Sequence, residues 1–268
     1  MALVGVFDSG VGGLSILDEA LRQLPQDDYI YLADSANAPY GEKSSDWIAS
    51  RSLSLCKFLA SKGCDAIVVA CNTATAEAIK QIRATLSIPI IGVEPGIKPA
   101  AMQSQNHIVG VLATEATLKS DKFNALLATL PRDCQFIEQS GAGLVLLIES
   151  GKADSEESLE LLAKHLEPIQ DAGADTLVLG CTHYPFLRKA IRKLLGESIT
   201  LIDTSDAVVK QLKRQLDTLE LKSNTVTYGT VTFVSSKDES SLLSLANNLM
   251  SVDLTLHPTH ARILSDVS

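Results

Sequence analysis

Short apolar runs and longer stretches with helical spacing alternate along the chain. A continuous aliphatic run between turn residues, as in Leu3–Phe7, is typical of a strand buried on both faces. Apolar residues at every third or fourth position, as in Trp47–Leu59, predict an amphipathic helix. This alternation predicts an α/β protein built from mainly parallel sheets between helices.

The same patterns give the first and last residues of most predicted strands and helices. The predicted strands, besides the runs that precede Cys71 and Cys181, are Leu3–Phe7, Tyr29–Leu32, Ile88–Val93, Ile108–Leu112, Gln135–Ile137, Ile199–Ile202, Thr225–Tyr228 and Thr230–Val234. The predicted helices are Leu14–Leu24, Trp47–Leu59, Ala74–Leu86, Lys119–Leu130, Leu144–Glu149, Glu156–Ala172, Phe186–Leu195, Asp206–Leu219 and Glu239–Leu249. The tail that carries His257 and His260 shows no period, and we expect it to be irregular and not to bind a metal.

One segment of the pattern occurs twice. Residues 63–73 and 173–183 align without a gap and share a Gly, an Asp, a Val and the final Cys. Leu3–Phe7 likewise matches Ile108–Leu112, so the two halves of the chain keep nearly the same spacing. We therefore expect two pseudo-symmetric domains, residues 1–95 with 206–268 and residues 96–205, and an active site in the cleft between them. Cys71 and Cys181 fall at the carboxyl ends of buried strands, where open α/β sheets bind ligands.

Composition narrows the class of protein. With 268 residues, 46% hydrophobic and 21% charged, the chain is long enough for one or two globular domains with real cores. A net charge of −9 argues against nucleic acid as a partner. The absence of a long apolar stretch or a basic leader predicts a protein without a membrane segment or signal peptide. Five cysteines without metal-ligand spacing favour a reducing cytoplasm over a disulfide framework.

Two matching thiols suggest a particular chemistry. Inverting a stereocentre requires one group to take a proton from one face and another to deliver a proton to the opposite face. Cys71 and Cys181 supply such a pair, and Asn72 and Thr73 are helix N-cap types that place Cys71 beside a helix N-terminus, which favours a thiolate. No cofactor motif is convincing, so we expect none. Cys56, Cys64 and Cys134 are expected to be buried apolar residues.

Several other candidate site residues fit a purely structural role as well as a functional one. The turn at 8–13 half-resembles a dinucleotide fingerprint, but Ser15 replaces the third glycine and Asp8 would repel a pyrophosphate. The turn around Tyr40 is as consistent with structure as with ligand binding. Glu149 fits a helix-end carboxylate that faces water, and His183 fits either a packed side chain or an acid/base beside Cys181.

Several motifs together are specific. They are Phe7–Leu14, Ala33–Asp34 with Pro39–Gly41, Ala70–Ala74, Gly92–Pro95 and Gly180–Pro185. With these motifs the chain resembles the bacterial glutamate racemases of the aspartate/glutamate racemase superfamily, most closely from about Leu3 to Thr204. The resemblance implies cofactor-independent interconversion of L- and D-glutamate, which supplies D-glutamate for peptidoglycan. It also implies a homodimer as a common assembly.

The resemblance also implies roles for residues. Cys71 would take the α-proton from D-glutamate and Cys181 from L-glutamate, with Asp8, Asp34, Glu149 and His183 as auxiliary polar groups. The residues implied in substrate binding are Asp8, Ser9, Pro39, Tyr40, Gly41, Asn72, Thr73, Thr114, Thr117, Thr182 and His183. Glu115 departs from the family pattern, although Thr114 and Thr117 keep hydroxyls for a carboxylate. The N-terminal extension of members activated by a cell-wall precursor is missing, so that regulation is not expected.

Two other functions fit parts of the pattern. A racemase of another acidic amino acid, chiefly aspartate, would share both cysteines. A non-catalytic amino-acid binder that kept the site would bind a ligand without exchanging its α-proton.

Overall fold

Two units make up the chain. A computed structural model describes residues 1–131, 133–219 and 227–264. Its contacts separate Met1–Val93 with Ser205–Ser268 as unit 1 from Glu94–Thr204 as unit 2. Within the described residues, no helix combines the length and the apolar character that crossing a membrane requires.

Each unit is built on a parallel sheet. The strands are β1 (Leu3–Asp8), β2 (Asp28–Ala33), β3 (Ala66–Val69), β4 (Ile90–Gly92), β5 (Ile108–Ala113), β6 (Gln135–Ser140), β7 (Thr176–Gly180), β8 (Thr200–Ile202), β9 (Val231–Ser235) and β10 (Thr259–Ile263). The sheet of unit 1 has the order β10-β9-β2-β1-β3-β4, and that of unit 2 has the order β6-β5-β7-β8. Every strand pair is parallel, which confirms the predicted α/β class.

Helices connect the strands, as parallel pairing requires. They are α1 (Leu14–Gln23), α2 (Ser45–Ser61), α3 (Asn72–Thr85), α4 (Ile97–Gln103), α5 (Glu115–Lys119), α6 (Asp121–Leu127), α7 (Leu144–Glu149), α8 (Glu156–Asp171), α9 (Arg188–Leu195), α10 (Ser205–Thr218) and α11 (Glu239–Leu249). In unit 1, α2 and α3 pack together over a buried cluster that includes Phe7, Ile67 and Val69. The removal of such apolar strand residues from water, between the sheet and the helices, is the main force that stabilises the unit.

The internal repeat extends to topology, because β2-β1-β3-β4 and β6-β5-β7-β8 have the same order. The shared Gly and Asp of the repeat have structural reasons. Gly63 and Gly173 adopt φ of 85° and 71°, which favour glycine after a helix. Asp65 then accepts a hydrogen bond from the Leu3 amide at 2.8 Å, and Asp175 accepts one from Asn106 at 2.9 Å. Each Asp directly precedes the strand that leads to a cysteine, β3 or β7. Its hydrogen bond joins the start of that strand to the start of β1 or to the residues just before β5.

Some element predictions were wrong. The predicted helix Lys119–Leu130 is replaced by α5 and α6, because Ser120 has an extended backbone and its hydroxyl caps α6 by accepting from the Phe123 amide. A 3₁₀ turn, Tyr184–Leu187, precedes α9 in the predicted helix Phe186–Leu195. Helix α4 was not predicted.

The tail also differs from the prediction. It contains β10, which carries His260 and pairs with β9, so the segment is not irregular. His257 is buried, and its Nδ1 donates to the Gly229 carbonyl at 2.9 Å. Of the predicted strand Thr225–Tyr228, residues 225 and 226 lie outside the described residues, and Thr227 and Tyr228 are not in a strand.

Candidate active site

Three strands of unit 1 bring acidic and thiol side chains to one edge of the sheet. Asp8 ends β1, Asp34 directly follows β2, and Cys71 lies just beyond β3. Since β2, β1 and β3 are neighbours and parallel, these residues lie at the same ends of adjacent strands. All three are buried, with 6% or less of each residue exposed.

Cys71 is the N-cap residue of α3. Its Sγ accepts a hydrogen bond from the Ala74 amide at 3.4 Å, and the Ser9 hydroxyl lies 3.5 Å away. Amide donors and the positive end of a helix stabilise negative charge at this position. The predicted place of Cys71 beside a helix N-terminus is confirmed, although Cys71 itself is the N-cap and Asn72 and Thr73 lie in the first turn.

The residues around Cys71 are held in place at the same end of the sheet. Asn72 and Thr73 form the first turn of α3 and are buried. On β1, the Asp8 carboxylate accepts a hydrogen bond from the Gly10 amide at 2.9 Å, which closes the turn before α1. Buried polar groups at the end of a parallel sheet are suited to binding a small polar ligand.

The turn that carries Pro39, Tyr40 and Gly41 is held by Asp34. The buried Tyr40 hydroxyl donates to Asp34 Oδ2 at 2.7 Å. Arg51, on α2, donates to both carboxylate oxygens of Asp34, with distances of 2.9 and 2.8 Å. Sequence reasoning missed Arg51, because an arginine on an amphipathic helix is ordinarily an exposed residue.

This pairing sets the charge of Asp34. Burial alone would raise the pKa of its carboxyl, but hydrogen bonds from Arg51 and Tyr40 together with the charge of Arg51 hold the pKa below its ordinary value. Burial, followed by the charge of Asp34, raises the pKa of Tyr40 far above its usual range. The pair is therefore a carboxylate and a neutral phenol at all ordinary pH values.

Unit 2 contains a row of three hydrogen-bonded side chains that begins at its thiol. Cys181 directly follows β7, and its Sγ lies 3.6 Å from Nδ1 of His183. The other ring nitrogen of His183 lies 2.6 Å from Oε1 of Glu149, the last residue of α7. Glu149 therefore contacts a buried histidine, and its alternative interpretation as a helix-end carboxylate that faces water is wrong.

The surroundings of His183 favour its protonated form. Burial by itself would lower the pKa of His183. Hydrogen bonds and negative charge from Cys181 and Glu149 outweigh burial and raise that pKa well above its ordinary value. Nδ1 of this protonated imidazole faces the Cys181 sulfur at 3.6 Å. Burial and the charge of Cys181 also raise the pKa of Tyr184, which keeps its phenol neutral.

Hydroxyl groups surround the same strand ends of unit 2. Thr182 follows Cys181 and is buried. Thr114 directly follows β5 and caps α5, and its hydroxyl lies 2.8 Å from that of Thr117. Glu115, the residue that departs from the family pattern, points to solvent and pairs with Lys119 at 2.5 Å.

The other three cysteines lack such surroundings. Burial raises the pKa of Cys56 and of Cys64 to about 12. Burial also raises the pKa of Cys134, to which nearby acids contribute. These thiols stay protonated and are structural residues. In residues 1–131, 133–219 and 227–264, no cluster of His, Cys, Asp and Glu has a geometry that could hold a metal ion.

Comparison with known proteins gives a consistent result. The family model described as Asp/Glu/Hydantoin racemase matches residues 8–212. A protein from Ralstonia pickettii named glutamate racemase is 54% identical, over 83% of this chain and 79% of its own length.

Solved structures are similar over nearly the whole chain. The glutamate racemase of Escherichia coli, in complex with L-glutamate and the activator UDP-MurNAc-ala, matches with a TM-score of 0.83 and 31% identity, covering 97% of this chain and 99% of that one. The glutamate racemase of Francisella tularensis, in complex with D-glutamate, matches with a TM-score of 0.83 and 29% identity, covering 98% and 97%.

Proposed function

The chain belongs to the Asp/Glu/Hydantoin racemase family, and we propose that it interconverts L-glutamate and D-glutamate with two cysteine thiols and no cofactor. The observation that carries this proposal is the matched placement of Cys71 and Cys181. Each thiol follows the corresponding strand of a repeated sheet, and each has its own hydrogen-bonding neighbour, the Ala74 amide at Cys71 and the His183 ring at Cys181. A racemase needs two groups of this kind, whereas a nucleophilic mechanism needs only one.

The proposed reaction conserves protons. From L-glutamate, Cys181 as a thiolate removes the α-proton, and the electron pair is delocalised into the α-carboxylate. Cys71 as a thiol then delivers its proton to the opposite face of the α-carbon. D-glutamate leaves with Cys181 protonated and Cys71 as the thiolate, and the reverse reaction uses the same steps in the opposite order.

The surrounding residues have distinct proposed roles. His183, held by Glu149, stabilises the Cys181 thiolate, while Asp8 and the first turn of α3 act on the Cys71 side. Substrate contacts are proposed for the hydroxyl, amide and backbone groups at the strand ends. These are Ser9, Pro39, Tyr40, Gly41, Asn72, Thr73, Thr114, Thr117 and Thr182. Backbone amides at the start of α3 suit a carboxylate of the substrate.

Several broader expectations remain proposals. We propose the domain boundaries 1–95 with 206–268 and 96–205, a cytoplasmic location, and a homodimer. We also propose that the D-glutamate product supplies peptidoglycan synthesis. Sedimentation equilibrium of the purified chain tests the dimer.

A stereochemical assay tests the proposed function. The purified chain is incubated separately with L-glutamate, D-glutamate and L-aspartate, and both enantiomers are quantified by chiral chromatography. The proposal expects both glutamate enantiomers to approach an equal mixture and L-aspartate to remain largely unchanged. Conversion of aspartate alone would support the rival substrate, and glutamate binding without any conversion would support the non-catalytic binder.

A further inference from the structure

Arg51 and Asp34 form a buried ion pair beside the Cys71 half of the site. Arg51 Nε lies 2.9 Å from Oδ2, and Arg51 Nη2 lies 2.8 Å from Oδ1. The Asp34 side chain is fully buried, and the Arg51 side chain is 16% exposed. Two parallel hydrogen bonds between planar groups fix direction as well as charge, which a lysine cannot reproduce.

The same carboxylate anchors the loop between β2 and α2. Tyr40 donates its hydroxyl to Oδ2 at 2.7 Å, and Asn37 Nδ2 lies 3.1 Å from both carboxylate oxygens. The Tyr40 ring packs against Phe7 and edge-on against Trp47. Asp34 therefore holds the turn that presents Tyr40 and Gly41, and Arg51 holds Asp34.

This network lies close to the thiol. Tyr40 and Cys71 belong to one buried cluster. Besides burial, the negative charges of Asp34 and Cys71 both raise the pKa of Tyr40. A second buried acid, Asp8, lies at the same strand ends. An unpaired Asp34 carboxylate would add negative charge near Cys71 and oppose its thiolate form. Arg51 is the cation that offsets this charge.

We propose that Arg51 is a positioning residue for the Cys71 half of the site, which holds the Tyr40 turn through Asp34 and neutralises the Asp34 charge beside the thiol. The inference rests on the proposed role of Cys71. It assigns Arg51 a function that its place on the helix pattern of α2 does not indicate. It also gives Asp34 a role that acts through Tyr40 and Arg51, without direct proton transfer to substrate.

Thiol alkylation tests the electrostatic part without requiring racemisation. Cys71 and Cys181 are alkylated with iodoacetamide across a pH series, and each rate is followed by peptide mass spectrometry. In Arg51→Met, we expect Cys71 to react about tenfold more slowly at pH 7 and its pH midpoint to rise. Cys181, which lies in the other unit, should keep its wild-type rate and serves as the internal reference.

Further variants separate charge from geometry. Arg51→Met with Asp34→Asn removes both charges and should restore the Cys71 rate to within about twofold of wild type. Arg51→Lys keeps the charge, so we expect normal alkylation but a KM for glutamate raised about tenfold as the Tyr40 turn loosens. Arg22→Met removes an exposed arginine of the same unit and should change neither quantity.

Three results would overturn the inference. They are a wild-type Cys71 rate in folded Arg51→Met, an equally slow rate in the double variant, and an unchanged KM in Arg51→Lys. If Arg51→Met does not fold, Arg51→Lys still gives the KM result, and a Cys71 rate in the double variant about tenfold below wild type still contradicts the inference. A wild-type chain that fails to racemise glutamate contradicts the proposed function instead, and leaves the alkylation result interpretable.

Discussion

Glu149 lies 2.6 Å from His183, although 34 residues separate them along the chain. The contact joins the end of α7 to the residues that follow β7. Because His183 also lies 3.6 Å from Cys181, a carboxylate at the end of one helix acts on a thiol at the end of a strand. The charge on Glu149 is one reason why His183 retains its proton.

Replacing Glu149 by Gln tests this electrostatic contact. We expect kcat to fall at least about tenfold, since a loss of about 1.4 kcal/mol in transition-state stabilisation lowers the rate by that factor. The loss of negative charge lowers the pKa of His183, so the alkaline limb of the kcat/KM–pH profile should move to lower pH. Glu157→Gln, on the exposed face of α8, is the control. An unshifted alkaline limb would show that Glu149 does not hold the proton on His183.

The two thiols should be individually necessary. Cys71→Ser and Cys181→Ser each replace a group that forms a thiolate with a hydroxyl that stays protonated, so we expect racemisation to fall at least about 1,000-fold. Cys134→Ala removes a structural cysteine and should retain activity. Chiral chromatography of both glutamate enantiomers measures all three variants. Full turnover in Cys181→Ser would refute the two-thiol scheme.

The Arg51–Asp34 pair predicts acid sensitivity of unit 1. The pKa of Asp34 is lower in the folded chain than its ordinary value of 3.8. Its stabilising contribution is therefore complete above about pH 4 and is lost as pH falls through the depressed folded-state pKa. Asp34→Asn should unfold about 3 kcal/mol more easily at pH 7, because it removes the carboxylate that balances the charge of Arg51.

Urea unfolding from pH 7 to pH 2 measures the difference. The stability of wild type and Asp34→Asn should converge at the acid end, whereas Asp46→Asn, exposed in the first turn of α2, should parallel wild type throughout. A constant gap between wild type and Asp34→Asn across the whole range would contradict the assignment.

Another buried carboxylate joins the segment that follows α11 to α1. Asp18 accepts hydrogen bonds from the Ser251 amide and hydroxyl and from the Val252 amide, at 2.7 to 2.8 Å. Asp18→Ala removes the acceptor of three hydrogen bonds, so we expect a loss of about 2 kcal/mol in unfolding free energy. Urea unfolding measures it, and Asp206→Ala, which removes an exposed helix pair, is the control. Equal stability of the two variants would contradict this role for Asp18.

Hydrophobic periodicity predicted the strands and the internal repeat, because both depend on the local sequence pattern. The strands that end near Asp8, Cys71 and Cys181 are continuous apolar runs, and the repeat that relates them survives as a shared strand order. Capping was harder to predict. Ser120 interrupts a stretch with helical spacing because its hydroxyl competes for backbone amides, and spacing alone does not weigh that competition.

Contacts between distant residues had no local signal. Arg51 lies 17 residues from Asp34, and nothing in the period of α2 indicates that it turns inward. Glu149 was likewise ambiguous until the fold placed α7 beside the end of β7. Tail strand β10 was missed because its residues are half-exposed at a sheet edge and show no apolar run.

The isotope content of the first product formed in D₂O tests the two-thiol account most directly. α-Protiated L-glutamate is incubated with the chain at low conversion, and each enantiomer is separated and analysed by mass spectrometry. Since a thiol carries one proton, the group that takes protium cannot deliver deuterium to the opposite face. The account predicts that D-glutamate carries solvent deuterium at Cα while the remaining L-glutamate stays protiated. Substrate-derived protium in the D-glutamate product would contradict it, because one base would then serve both faces.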